Sequence, residues 1–394
     1  MGGRLEGVSP VALSAVRVVK TVLLVMGLFP WLDHRVAMPM DQMARVYSRY
    51  PDVDVYYLDP NWPSAPSARW RQWAEGTPAA YCWRLGPQSA ASGAMTAAAD
   101  RPRSVFVDIE GRAVRWEAFL AALDAADRVV CLAHAFWPEL CRRVVETLLP
   151  DAVIYDCHET VVTMSGGPTR AAHEWLVARA DVVLAISPAV AQAVERLGRT
   201  PMPLGNGIEA ERFAAEPPAR PQWTFGFLGS FYDWVDVSAL HALAEAFPGE
   251  TLALVGPVHE SMGRAYERLT ARPNVIAHPG VPHAEVPAIL QRMELCLLPR
   301  LLTPDSLACD PLKLYEYLAA GRPVVSTRLP VAEGLGDVVY LADSGAGFVE
   351  AAARALADVR TGRFNADHVA ACRAAVATRT WEARCRAAWS AIAG

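Results

Sequence analysis

Short runs of apolar residues alternate along most of this chain with segments whose apolar residues recur every three or four positions. The runs predict buried strands, and the longer period predicts amphipathic helices. The strands predicted in the first half are Thr21–Met26, Val53–Leu58, Ser104–Val107, Arg128–Leu132, Val153–Tyr155 and Val182–Ile186. Those predicted in the second half are Thr224–Leu228, Thr251–Val255, Val275–His278, Leu295–Leu298, Val324–Ser326 and Val338–Leu341. Apolar strands that alternate with helices are typical of parallel sheets covered on both faces, so the pattern predicts an α/β protein.

A polar, proline-rich segment separates the two series of strands. Residues 209–222 include Ala214-Ala-Glu-Pro-Pro-Ala-Arg-Pro221, which is typical of a stiff connector. The chain has 394 residues, whereas one hydrophobic core rarely grows beyond about 250–300 residues. We therefore predict an N-terminal domain at 1–208, a linker at 209–222, a C-terminal domain at 223–378, and a helix at 379–394 that can cross back to the N-terminal domain.

Composition narrows the classes of function. The net charge is −5 and charged residues make up 20% of the chain, which argues against a general nucleic-acid binder and against a disordered protein. The cysteines stand at positions 82, 131, 141, 157, 296, 309, 372 and 385, without a Cys-x-x-Cys pair. Neither a zinc site nor a disulfide framework is indicated, and a reducing cytoplasm fits best.

The apolar N-terminal region predicts a strand rather than a membrane span. Arg17 and Lys20 interrupt it, and the uninterrupted part, Thr21–Trp31, is shorter than the roughly 20 residues that a span requires. We interpret Val18–Met26 as the first buried strand, with a signal peptide as the weaker alternative. Tryptophans and arginines crowd residues 59–103, which indicates either a loop packed on its own aromatics or a surface for an acceptor or a membrane.

The segment from Asp310 to Thr327 carries the strongest chemical signal. Asp310 suits a helix N-cap, Pro311 suits the first helical position, and Gly321 suits the residue just past the helix end. Lys313 and Glu316 lie three residues apart, so they share a face near the start of the helix. Backbone N–H groups and Lys313 could bind phosphate oxygens there, while Glu316 could accept hydrogen bonds from ribose hydroxyls. A surface ion pair on an ordinary helix is the alternative.

These residues and three further motifs resemble the GT-B glycosyltransferases, particularly those of the family 4 type. Residues 310–327 are similar to the donor-binding signature of that family. The other motifs agree in order and spacing, and they are Ala180–Pro188, Pro203–Ile208 followed by Phe213, and Phe225–Ser230 with Leu254–Pro257. The resemblance extends over residues 153–328, with a fainter likeness on either side. The insert Tyr232–Asp236 is most similar to bacterial polysaccharide-type members, such as those of teichuronic-acid assembly.

The resemblance implies two Rossmann-like, doubly wound domains that face each other across a cleft. It implies that a sugar of hexose type is transferred with retention from a nucleotide sugar to a hydroxyl acceptor, in polysaccharide or glycoconjugate biosynthesis, without a cofactor or a bound metal. A UDP-sugar is the favoured donor and a GDP-sugar the alternative. The acceptor would be a sugar, a lipid-linked or a small-molecule hydroxyl, and a lipid-linked acceptor would bring the protein into peripheral contact with the inner face of the membrane. In this framework Glu316 matches the ribose-binding glutamate, and Lys313 lies near the diphosphate.

The chain departs from the family pattern where the diphosphate is expected to bind. No basic residue follows the first strand of the C-terminal domain in place of the family's Arg-x5-Lys pair. The diphosphate charge must then be met elsewhere, and the candidates are Lys313, Arg300 and the backbone N–H groups of Gly229 and Ser230.

A second departure concerns the acidic pair of the family, Glu-x7-Glu. Glu316 occupies the second acidic position, but the first is Ala308. Asp310 could replace the missing acid from a shifted position and contact the donor. Capping of the helix is its favoured role.

Many members of the family place a histidine of the first domain against the donor sugar. His158 and His134 both follow apolar strands, where a parallel sheet directs side chains into the cleft, and His158 is favoured. Asp156 and Glu159 flank His158 and could orient its imidazole or act as a base toward the acceptor. Gly27 ends the first strand and could let the backbone approach the ligand, although a plain turn is nearly as good an explanation. Each histidine could instead be held by local hydrogen bonds for packing.

Two other functions remain open at this point. A nucleotide-sugar epimerase on the same fold would act on the donor without an acceptor. A non-catalytic partner subunit would retain the fold and support another enzyme, which the missing basic pair and the missing first acid both favour.

Overall fold

Two β-sheets organise the structure. The computed structural model describes residues 19–27, 39–60, 80–85, 104–106, 122–214, 221–343 and 345–393. The strands of the first sheet are β1 (Thr21–Met26), β2 (Val53–Pro60), β3 (Ala80–Leu85), β4 (Ser104–Phe106), β5 (Arg128–His134), β6 (Ala152–Cys157), β7 (Val182–Ala185) and β8 (Met202–Pro203). Their spatial order is β4-β3-β2-β1-β5-β6-β7-β8. Six of them run parallel, and β3 and β4 extend one edge by antiparallel pairing.

The second sheet is parallel throughout its described strands. These are β9 (Trp223–Leu228), β10 (Leu252–Val255), β11 (Val275–His278), β12 (Met293–Leu298), β13 (Val324–Thr327) and β14 (Val339–Ala342). Their order is β11-β10-β9-β12-β13-β14. The order reverses between β9 and β12, which is where doubly wound sheets bind ligands beyond the carboxyl ends of their strands.

Helices connect the strands of both sheets. In the first half they are α1 (Pro39–Tyr47), α2 (Pro138–Leu148), α3 (Thr160–Thr163), α4 (Pro168–Arg179) and α5 (Pro188–Glu195). In the second half they are α6 (Val237–Ala246), α7 (Gly263–Thr270), α8 (Val286–Gln291), α9 (Pro304–Ala308), α10 (Leu312–Ala319), α11 (Pro330–Glu333), α12 (Gly345–Arg360), α13 (Ala366–Val376) and α14 (Trp381–Ala393). In the described part of the chain, none of these helices combines the length and apolar character needed to cross a bilayer.

The apolar character of the strands follows from burial on both faces of each sheet. Along β1, Val22 and Leu24 pack into one core cluster, whereas Leu23 and Val25 pack into a second cluster on the opposite face. Successive side chains of a strand point to opposite faces, so a sheet covered twice requires apolar residues at every position. This is why the runs in the sequence could be assigned to strands.

All twelve predicted strands form, with bounds that differ from the predictions by a few residues. The two strands that the pattern missed are β3 and β8. The segment Ala80–Leu85 mixes apolar residues with an arginine and pairs antiparallel at an edge, and β8 is only two residues long. Most of the tryptophan- and arginine-rich region, the loop that follows Gly27 and residues 215–220 of the linker lie outside the described residues.

The last helix, α14, packs on the first sheet although it follows the second sheet in the chain. Trp381, Cys385 and Ala388 are buried in the cluster that contains Leu23 and Leu184. The segment that leads into α14 also lies beside the segment that leaves the first sheet, because the N–H of Ile208 donates to the carbonyl of Arg379 at 2.7 Å. The chain therefore passes twice between the two halves, and the two passages are hydrogen-bonded to each other.

Candidate functional site

His134 lies at the carboxyl end of β5 and is completely buried. Its Nδ1 accepts a hydrogen bond from the N–H of Phe136 at 3.2 Å, and its Nε2 lies 3.2 Å from the carbonyl oxygen of Gly27, to which it donates. Burial lowers the pKa of His134 to about 4. Both ring nitrogens of this neutral imidazole are thus engaged locally, and Gly27 contributes its carbonyl to that contact.

His158 follows β6 and is nearly buried, with 3% of its surface exposed. Its Nε2 lies 3.3 Å from Oδ2 of Asp156, and its ring centroid lies 4.8 Å from that of Phe136. Within the described residues, Nδ1 of His158 has no hydrogen-bond partner. Glu159 is half-buried and directly precedes α3. Of the two candidate histidines, His158 is therefore the one with a ring nitrogen left for a ligand.

Asp156 is fully buried within β6 and is ionised. Burial alone would raise the pKa of this carboxyl, but Arg384 and His158 hold it well below its usual range. Nη2 of Arg384 donates to Oδ1 of Asp156 at 2.7 Å, and the arginine itself is 2% exposed. The negative charge beside His158 is thus maintained by a cation from α14.

Lys313 lies on α10, and its side chain packs over Gly229, the residue that directly follows β9 in the second sheet. A Cβ at Gly229 would stand 1.8 Å from Cε and 2.3 Å from Nζ of Lys313, and the φ of Gly229 is +139°. Only glycine permits both this approach and this backbone conformation. The N–H of Gly229 donates to the carbonyl of Val255 at 2.8 Å, so the expectation that this N–H group binds a diphosphate is wrong. Ser230 follows, half-buried.

Arg300 follows β12 and lies close enough to Lys313 to influence it. Burial first, and the Arg300 charge second, lower the pKa of Lys313. The guanidinium carbon of Arg300 lies 5.5 Å from the ring centroid of Trp234, and its Nε is 3.4 Å from Oγ of Ser306. Among the described residues, neither cation has a carboxylate partner within ion-pair distance. In the described part of the chain, the charge of Arg300 thus acts on Lys313 while neither side chain forms an ion pair with a carboxylate.

Glu316 faces a pocket at the junction of the two halves. Its Oε1 lies 3.0 Å from Nε2 of His283, whose Nδ1 lies 3.1 Å from Nη1 of Arg212. The pocket has an open volume of about 290 Å³ and is lined by Gln42, Gly207, Ile208, Glu209, Phe213, His283, Leu312, Glu316 and Trp381. Glu316 thus pairs with His283 rather than with Lys313, and the surface ion pair considered for this helix does not form.

The prediction that Asp310 caps α10 is wrong. The N-cap position is Pro311, and no side chain caps the helix. Instead Oδ2 of Asp310 accepts from the N–H of Asn206 at 2.5 Å, and the hydroxyl of Tyr315 donates to Oδ1. Nη1 of Arg379 in turn donates to the Tyr315 hydroxyl at 3.0 Å. Asp310 is 3% exposed, and both of its oxygens bind groups of the protein.

The loop that carries Arg300 reaches across to the first half of the molecule. In α9, Ala308 is completely buried in the core cluster of the first sheet. The hydroxyl of Thr163 in α3 donates to Oδ1 of Asp305 at 2.5 Å. The position where the family has its first acid is therefore an apolar contact between the halves, which accounts for an alanine there.

Sequence reasoning missed Arg384 and His283. Arg384 lies 228 positions from Asp156, and His283 lies 33 positions from Glu316. Neither residue belongs to a local motif, so only the fold reveals these partners. Within the described residues, His, Cys, Asp and Glu side chains form no group of three or more that could hold a metal ion.

The second half of the chain matches a known sequence family. Residues 222–358 match the family described as Glycosyl transferases group 1. The putative teichuronic acid biosynthesis glycosyltransferase TuaH of Bacillus subtilis (strain 168) is 29% identical over 203 residues, which cover 46% of this chain and 51% of TuaH. The chain thus spans about half the length of the curated relative it matches.

Solved structures share the fold. HepE from Anabaena, in complex with UDP and glucose, has a TM-score of 0.63 and 14% identity over 95% of this chain and 100% of that chain. Sucrose-phosphate synthase from Thermosynechococcus elongatus has a TM-score of 0.61 and 15% identity over 95% and 98%. These likenesses confirm the predicted fold class, α/β with the GT-B arrangement.

His134 should make stability depend on pH. Its pKa is about 4 in the folded chain against 6.5 for an ordinary histidine, so between these values the unfolded chain binds more protons and stability falls as the pH falls. Between pH 7 and pH 5 this histidine should account for a loss of about 2 kcal/mol in the free energy of unfolding. Urea denaturation of the wild type and of His134→Gln at both pH values measures it. The free energy of unfolding of the variant should decrease by less than that of the wild type between these two pH values. The pKa of His173 is also lowered to about 4, but this histidine is present in both proteins and therefore contributes equally to their pH dependence. Identical pH dependence in the two proteins would contradict the assignment.

Proposed function

We propose that this chain is a glycosyltransferase that takes a UDP-sugar as donor and a hydroxyl group as acceptor. The observation that carries the proposal is the pair formed by Lys313 and Arg300 beyond the carboxyl ends of the second sheet, without carboxylate partners among the described residues. Partly buried cations are costly unless an anion balances them. A nucleoside diphosphate supplies that anion, and the reversal of strand order between β9 and β12 is where such a ligand binds.

Glu316 provides the second element of donor binding. It lies on the same helix as Lys313, one turn away, and faces the pocket that contains His283. A carboxylate there can accept hydrogen bonds from both ribose hydroxyls while the diphosphate extends toward Lys313. We propose uridine as the base because HepE, which shares the fold, was crystallised with UDP and with UDP-glucose.

Transfer would take place against the first sheet. His158 lies at the carboxyl end of β6 with Nδ1 free to meet the donor sugar or the acceptor hydroxyl, and Asp156 supplies a fixed negative charge at Nε2. Glu159 is a further carboxylate at the same edge. The contact of α9 with α3 brings the loop of Arg300 toward these residues. We propose that the reaction proceeds with retention, and that the two cations bear the diphosphate charge without a metal ion.

The acceptor that we propose is a sugar hydroxyl in polysaccharide or glycoconjugate assembly, free or lipid-linked, on the cytoplasmic side of the membrane. Support comes from the name of TuaH, a relative assigned to teichuronic acid biosynthesis.

A two-step assay tests the proposed activity. Thermal shifts with UDP, GDP, ADP and dTDP should show stabilisation chiefly by UDP, because a ligand that binds only the folded state raises its stability. UDP-sugars are then incubated with a panel of glycan acceptors, with and without EDTA, and products are followed by NMR. Transfer with an unchanged anomeric configuration and no effect of EDTA is expected. An epimerised nucleotide sugar without acceptor would establish the epimerase instead, and no stabilisation by any nucleotide would favour a non-catalytic partner.

Removal of the Glu316 carboxylate should weaken nucleotide binding. A hydrogen bond to a charged group is worth about 1.5–3 kcal/mol, so Glu316→Ala should raise the Kd for UDP by about 10- to 100-fold. Titration calorimetry measures the effect, with Glu350→Ala, an exposed glutamate on α12, as the matched control. An unchanged Kd in Glu316→Ala would remove this residue from the site.

The scarcity of lysine allows a direct test of Lys313. The chain contains two lysines, Lys313 and Lys20, and Lys20 is an exposed residue that directly precedes β1. Acetylation by an amine-reactive reagent, read by mass spectrometry, should be slowed at Lys313 by UDP at least several-fold, while Lys20 reacts at the same rate with and without the nucleotide. Equal protection of both lysines, or none, would place the diphosphate elsewhere.

A further inference from the structure

Arg384 connects three parts of the molecule through one guanidinium group. Its Nη2 donates to Oδ1 of Asp156 at 2.7 Å, while its Nη1 donates to the carbonyl oxygens of Leu204 and Gly205, the latter at 2.7 Å. The side chain is 2% exposed, so these bonds are shielded from water. The strand end that carries His158 is thus linked to the passage between the halves and to α14.

The two oxygens of Asp156 have different neighbours. Oδ1 accepts from Arg384, whereas Oδ2 faces Nε2 of His158 at 3.3 Å and has no aligned hydrogen-bond donor. A carboxylate held at one oxygen by a planar guanidinium has a fixed orientation, and its second oxygen therefore has a fixed position. The imidazole of His158 therefore lies beside the Asp156 carboxylate, and the contact with Arg384 fixes the position of that carboxylate.

We propose that Arg384 is a positioning residue for the transfer reaction, which orients Asp156 and through it the imidazole of His158. Arg384 does not reach the cleft itself, since its described contacts are with Asp156, the two carbonyl groups and the ring of Trp381. The kinetic part of this inference rests on the proposed function of His158.

A role in packing alone does not account for the arrangement. Helix α14 is already anchored on the first sheet by Trp381, Cys385 and Ala388. Nε of Arg384 and Oδ2 of Asp156 are buried without hydrogen-bond partners among the described residues, which is unfavourable for stability. A buried ion pair is often no more stable than an apolar replacement of similar volume. The pair is better explained by what it does to the neighbouring histidine.

The first test separates chemistry from donor binding. Arg384→Gln retains hydrogen-bonding capacity but loses the charge, and Arg386→Gln alters an exposed arginine two residues further along the same helix. For turnover of the UDP-sugar found by the screen, Arg384→Gln should lower kcat by about 10- to 100-fold, as loss of a charged hydrogen bond predicts. The Kd of Arg384→Gln for UDP should differ from that of the wild type by less than two-fold. Arg384→Lys should retain more of kcat than Arg384→Gln, and Arg386→Gln should behave as the wild type. Weakened UDP binding with an unchanged kcat would overturn the proposal.

A double-mutant cycle shows whether Arg384 acts through His158. In a His158→Gln background, Arg384→Gln should cause little further loss of kcat, because the group that it positions is already absent. Additive losses would overturn the proposal in favour of an independent structural effect. Should Arg384→Gln fail to fold, Arg384→Lys carries the same cycle through its remaining loss of kcat, since one ammonium nitrogen does not reproduce the planar contact that Nη1 and Nη2 make with Asp156 and the two carbonyl groups.

An NMR experiment tests the positioning role without any measurement of glycosyl transfer. The ring of Phe136 lies 4.8 Å from that of His158, so a rotation of the imidazole should move its C–H resonances in the NMR spectrum. These resonances, assigned by their absence in His158→Gln, should shift in Arg384→Gln and stay in place in Arg386→Gln. If the His158 resonances do not move in Arg384→Gln, the positioning role is overturned, even if no sugar donor has been found. If they move but the wild-type protein transfers no sugar, the positioning role stands and the proposed function is contradicted.

Discussion

The buried ion pair between Asp156 and Arg384 is the interaction on which the rest of the arrangement depends. Both side chains are almost completely removed from water, and each would be strongly destabilising without the other, because losing one partner of a buried pair costs about 3–5 kcal/mol. Strand β6 and helix α14 must therefore stay together. Since α14 follows the second sheet in the chain, this pair acts together with the buried Trp381, Cys385 and Ala388 to fix the second half of the polypeptide to the core of the first.

A second buried network meets the first at residues 204–206. Arg384 binds the carbonyl groups of Leu204 and Gly205, and Asp310 accepts from the N–H of Asn206. The cleft side differs, because its described polar link is the single hydrogen bond from Thr163 to Asp305, both of which are at least partly exposed. Contacts of the first kind resist separation, while a lone exposed hydrogen bond does not. Residues 204–206 are thus held by shielded polar contacts, whereas α9 is held to the first half by the burial of Ala308 together with this exposed hydrogen bond.

The fold could be predicted from sequence because its signals are local. Residues 152–155 of β6 are buried on both faces, and a run of that kind can be recognised without knowing its neighbours. The partners of the site residues could not be predicted, since Arg384 and Asp156 lie 228 positions apart and come into contact only in the folded chain. Asp310 shows how a local rule fails: a residue suited to a helix cap instead satisfies a buried N–H group of Asn206, where an unpaired donor would cost more than an uncapped helix end.

The insert after β9 shows how aromatic residues can contact a cation that comes from another strand end. The sequence there has no basic residue, and carries Tyr232 and Trp234, whose rings stack at 4.4 Å. Arg300 comes from a different strand end, and its guanidinium lies 5.5 Å from the ring of Trp234, within range of a cation–π interaction. The aromatic insert therefore stabilises a cation that it does not contain. The neighbouring strand end thus supplies a cation beside an insert that has none, and under the proposed function this cation would meet the diphosphate.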